Sequence, residues 1–144
     1  MRTVIGKYVL ALAVGIMLLP ALAAAQVTDR ITVTTKFPFT VGETKLPAGS
    51  YVIQPLDDES EVFELSSTDG KMSVLFETMG AELANIASKS EVVFKKYGDN
   101  YVLSQINQAG SKESVVSVAS RSERRHAKSS GKPSKEAVAT AKAP

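Results

Sequence analysis

Five consecutive positions carry the densest chemistry in this 144-residue chain: Asp57, Asp58, Glu59, Ser60 and Glu61. Grouped carboxylates can ligate a hard cation such as calcium, or divide into a general acid and a general base. No glycine inside the run makes the sharp turn of a calcium loop, so the same residues also read as a solvated loop between two apolar stretches. Asp69 and Asp99 fall in glycine-containing turns, where Asp serves to hydrogen-bond the backbone. Nucleophilic catalysis has less to work with. The chain has no Cys and one His. That residue, His126, is flanked by Arg124, Arg125 and Lys128, whose charges oppose the imidazolium that a Ser-His-Asp relay forms. No phosphate-cradling glycine loop and no zinc-ligand spacing occurs. The expectation is no catalytic residue, no metal and no cofactor. If the chain were an enzyme, it would be a small carboxylate-dependent hydrolase addressed at Asp57, Asp58, Glu59 and Glu61.

Arg121, Arg124, Arg125 and Lys128 form the second candidate cluster. Cations at this density attract anionic surfaces through a salt-sensitive field. The charge is partitioned along the chain. Residues 26–120 carry 8 Lys/Arg against 13 Asp/Glu, whereas residues 121–144 carry 7 against 2. The expected partner is an envelope component or an anionic surface such as lipid or polysaccharide, and nucleic acid is not expected.

These residues must be positioned by β-structure. Residues 30–35 alternate apolar with β-branched polar types, and Phe37, Phe39 and Val41 continue the period of two. Residues 51–53, 62–65, 72–76, 91–97, 101–106 and 114–119 repeat the habit. Turn chemistry separates them: Val41-Gly42-Glu43-Thr44, Leu46-Pro47-Ala48-Gly49, Thr68-Asp69-Gly70-Lys71 and Tyr97-Gly98-Asp99-Asn100. The fold class predicted is all-β, a single antiparallel meander over residues 28–119 forming a small barrel or a sandwich. Residues 81–87 read as one or two helical turns or an irregular link. Ser120 and Glu123 have the capping-box spacing, which predicts a short helix over 120–128. Residues 129–144, rich in Ala, Lys and Ser, are too poor in apolar side chains to order themselves and are expected to be a disordered basic tail. Eight aromatics, Phe37 to Tyr101, serve as core or line a cavity.

Residues 1–25 read as an address. Arg2 and Lys7 precede an apolar run over 8–19, Pro20 interrupts it, and Ala21-Leu22-Ala23-Ala24-Ala25 offers the small residues of a cleavage site. The run is short of the roughly 20 residues of a spanning helix, so a signal peptide cut near Ala25 is expected. No transmembrane segment is then left in the mature chain, and the protein is exported to the periplasm or beyond. Without cysteine its fold must rest on a core.

Phe39-Thr40-Val41-Gly42 with Leu46-Pro47-Ala48-Gly49-Ser50-Tyr51, then Val93-Phe94 leading to Tyr97-Gly98-Asp99-Asn100-Tyr101, and Ser120-Arg121-Ser122-Glu123-Arg124 resemble a family of small exported acidobacterial proteins. The resemblance covers residues 36–125 and implies export and a compact β-fold, with no activity. Members often carry a tryptophan where this chain has Asn107. The function expected is a non-catalytic binding or structural component of the cell envelope.

Overall fold

The computed structural model describes residues 30–142; the expected signal segment lies outside them. Ten strands and one helix follow in order: β1 (Ile31–Thr35), β2 (Phe39–Val41), β3 (Thr44–Leu46), β4 (Gly49–Pro55), β5 (Val62–Ser67), β6 (Ser73–Glu82), β7 (Glu91–Tyr97), β8 (Asn100–Asn107), β9 (Glu113–Ser117), α1 (Arg121–Ser130) and β10 (Ser134–Lys142). Eight of the strands close into a barrel, β8-β7-β10-β1-β4-β5-β6-β9 and back to β8. The β2–β3 hairpin lies against β8 through a parallel pairing of Phe39 with Tyr101 and Thr40 with Val102, the one parallel ladder among the described residues. Closure leaves few free edges, which an all-β chain without disulfides needs.

The hairpins form where the turn residues stand. Val41 pairs with Thr44 and Tyr97 with Asn100 across two-residue turns, and Gly42 and Gly98 both take φ of 58°, which a Cβ would resist. In β8, Leu103 and Ile106 are both buried although three positions apart. A register shift opposite Val93 and Phe94 lets Ser104 bulge out of the ladder, which reverses the alternation and returns both side chains to the core.

Aromatic side chains fill one end of the barrel. Phe39 meets Tyr51 and Phe94 edge-on at 5.2 and 5.1 Å, while Phe37 stacks on Tyr101 at 3.9 Å. Val33, Ile53, Leu65 and Val92 continue the core along the interior. The barrel therefore encloses side chains and not a wide lumen.

Two expectations are corrected and one open choice is decided. The expected disordered tail over 129–144 is ordered as far as it is described, to residue 142: Ser134–Lys142 is a barrel strand, matched to β7 from Ser134↔Lys96 to Ala139↔Glu91 and to β1 from Thr140↔Val33 to Lys142↔Ile31. Backbone hydrogen bonds on two edges order a segment whose own side chains could not. The β-domain accordingly does not end at residue 119. Of the two readings of residues 81–87, the irregular link holds from residue 83 on, and the first two residues close a strand. β6 runs on to Glu82 because it pairs with β9, and the irregular link beyond is tied by Leu83 N–H to Lys112 O and Ala87 N–H to Ser111 O.

The helix starts at the expected cap, with Ser120 Oγ accepting from Glu123 N–H at 3.1 Å. The Glu123 side chain turns inward instead of completing the box. It accepts from Lys95 Nζ at 2.9 Å and from the Tyr97 hydroxyl at 3.1 Å, and the residue is 5% exposed. A helix with little apolar surface is thus held to the barrel by a polar anchor. The pair is sheltered enough that removing one partner costs far more than at an open surface.

Candidate functional site

The end of the barrel opposite the aromatic cluster is open. A groove of about 510 Å³ lies between the β4–β5 loop, the second half of β6 and the start of β9. Phe63, Pro55, Ala81 and Val115 give it apolar lining, and six carboxylates surround it: Asp57, Asp58, Glu59, Glu61, Glu82 and Glu113. Among the described residues no Lys or Arg lines it.

Hydrogen bonds shape its walls. Glu59 N–H donates to Asp57 Oδ1 and Val62 N–H to Ser60 Oγ, two local turns that shape the loop. Leu56 N–H closes the loop base onto Val62 O at 2.9 Å. Thr78 of β6 then grips the loop twice, its backbone N–H and its Oγ1 both donating to Glu61 O at 2.7 and 2.6 Å. Gly80 faces open space, since a Cβ built there meets nothing within 4 Å.

One arrangement runs against sheet preference. Glu82 and Glu113 stand directly opposite each other in the β6–β9 ladder. Facing like charges disfavour a strand pair, and both side chains are exposed at the rim.

The acidic residues singled out in the sequence, Asp57, Asp58, Glu59 and Glu61, are therefore brought together with two more. Glu82 and Glu113 carry no local signal, because only the pairing of β6 with β9 places them there. The basic residues are gathered elsewhere: Arg121, Arg124, Arg125 and Lys128 follow the three-and-four spacing of one helix face. Two of them are already engaged. Arg124 donates to Ala119 O and Ser120 O, and Arg125 lies 3.9 Å from Glu43, which also accepts from Ser122 N–H.

His126 lies against the Tyr97 ring, with centroids 6.5 Å apart, and among the described residues no serine or carboxylate hydrogen-bonds its imidazole. Asn107 is buried and satisfied, donating to Glu91 at 3.3 Å and accepting from Gln105 at 2.8 Å. The described residues contain no group of three or more His, Cys, Asp and Glu arranged to hold a metal ion.

Compared with protein-family models, with curated proteins and with solved structures, the chain has no match. What the site can do follows from its geometry alone. An apolar floor inside an acidic rim suits a ligand that carries positive charge on an apolar body.

Proposed function

We propose that this chain is an exported, non-catalytic binding protein of the cell envelope whose barrel mouth takes an organic cation. The observation that carries the reading is the Glu82–Glu113 opposition inside the groove. A bound cation offsets the repulsion of those two carboxylates, and barrel mouths are a recurrent place for such sites. The segment over residues 1–25 supports export, as does the resemblance to small exported proteins.

A phenylalkylamine, with the phenylalkyl carboxylate of the same length as control, tests it by calorimetry at low and high salt. The amine binds, its affinity falls with salt, and the carboxylate does not bind. Gly80→Leu, which fills the groove, and Glu82→Lys, which reverses its rim, both abolish binding. Equal binding of amine and carboxylate, or binding undisturbed in Gly80→Leu, defeats the reading.

A second reading rests on the same convergence. Carboxylates arriving from a loop and from two strands meet the first requirement of a carboxylate-dependent hydrolase. Turnover of an ester or glycoside substrate that is lost in both Glu61→Gln and Glu82→Gln would replace binding with catalysis.

A further inference from the structure

Defects collect at one seam of the barrel. β10 is matched to β7 over six residue pairs but to β1 over only three, Thr140 to Lys142. Thr34 and Thr35 of β1 have no partner on β10 in that ladder. Of the nine residues of β10, seven are exposed and two half-buried, and Val138 is the one that packs against the core. A small cavity of about 110 Å³ lies at the same place, lined by Ile31 of β1 and by Thr140 and Lys142 of β10 among others. Thr140 Oγ1 is buried there without a hydrogen-bond partner. A strand that buries so little apolar surface is held mainly by its backbone ladder, and such segments occupy the low end of local stability.

The element before it is held firmly. α1 is anchored to the barrel wall by Glu123 through Lys95 and Tyr97 and to the β2–β3 hairpin by Glu43. Between the anchored helix and the loosely seated strand lie residues 131–133, with Gly131 at φ 71°. When the seam opens, α1 stays in place and β10 alone swings out on that hinge. What remains is a slot between β1 and β7 with two exposed ladder edges.

We propose that this slot is an interaction surface between two copies of the chain, each receiving the other's β10. The occupant follows from the page. The slot is matched in register by Ser134–Lys142, so a second copy offers every backbone bond that was lost, and only the hinge differs between closed monomer and exchanged dimer. Exchange of an identical element is a low-cost route to a dimer for this reason. The inference is independent of the groove at the barrel mouth.

The cysteine-free chain makes the test clean. Val93 and Ala137 are register partners across β7 and β10, and facing positions in a ladder are close enough for a disulfide. In full-length V93C/A137C the bond forms within one copy if β10 stays home and between copies if it has exchanged. The expected result is a doubled mass on a non-reducing gel, growing with protein concentration and collapsing on reduction. Lys96 and Ser134, the first pair of the ladder, give the same readout in K96C/S134C if the first variant does not fold. The unaltered chain is followed in parallel. Copies of two isotopic masses are mixed at high concentration and weighed by native mass spectrometry, and dimers of intermediate mass are expected. Bonds confined to single copies at every concentration overturn the proposal. So does the lack of any intermediate-mass dimer.

Discussion

Single side chains decide how the helix is seated and how the protein responds to pH. Glu123 has two donors, and its partner Lys95 is only partly buried. Lys95→Met leaves a sheltered carboxylate without its cation and costs about 3 kcal/mol. Glu123→Gln keeps a hydrogen-bonding group and frees a lysine that water can reach, so its cost is nearer 1 kcal/mol. Urea unfolding of the two variants, read side by side, checks that order. Burial and the bond to Glu123 push the Tyr97 hydroxyl above its ordinary value, and burial followed by the charge of Asp69 does the same for Tyr51. A raised value means that the unfolded chain loses its proton first. Stability contributed by these tyrosines is therefore complete below about pH 10 and declines as pH rises beyond it. Tyr97→Phe has a shallower alkaline loss, measurable as melting temperature against pH. On the acid side Glu64 is held below its usual range by hydrogen bonds from Ser73 and Gln54, so its contribution is present at neutral pH and fades on acidification. The capping spacing of Ser120 and Glu123 was legible in the sequence. The partner that Glu123 takes was not, since Lys95 and Tyr97 reach it only through the fold.

Strands and loops were legible wherever one face is buried. Phe39 and Val41, Tyr51 and Ile53, Phe63 and Leu65 keep the period of two because each pair shares the inner face of its strand, although Thr40 and Val52 between them are buried as well, and glycine marks the turns that need positive φ. β10 shows the limit of that signal. Its Ala, Lys and Ser side chains carry no alternation of buried and exposed groups, so nothing local distinguishes it from solvated chain. The acidic loop was likewise visible as a loop, while the groove it forms was not. Its opposite wall comes from β6 and β9, distant in sequence. Two element-scale outcomes follow. Thr78→Val releases the double grip on Glu61 O and leaves an N–H bond alone to hold the loop. Unfolding stability falls by about 1 kcal/mol and amide exchange accelerates over residues 57–61. Glu113→Lys places opposite charges across the β6–β9 ladder, raising stability by up to about 1 kcal/mol while abolishing cation binding. A rise in thermal stability together with a loss of affinity is the signature to look for.

At the scale of the whole molecule, one end is plugged by aromatic rings and the other is open and acidic, so the groove and the aromatic part of the core are separated in space. Phe94→Ala, in the plugged end, costs about 4 kcal/mol and leaves the groove chemistry intact in whatever fraction stays folded. Val138→Asp puts a charge at the one core contact of β10 and raises hydrogen exchange across Ser134–Lys142 well before the rest of the barrel loosens. The closing ladder joins the first strand described to the last, and that sets an order of events during synthesis. A chain emerging from its N-terminal side can build β4, β5 and β6 early, but β1 and β7 keep bare edges until the final staves arrive. Every shorter nascent chain is an open sheet with two unpaired borders, β1 and β7. The barrel cannot lock before β10, the stave that joins β7 to β1, has been made.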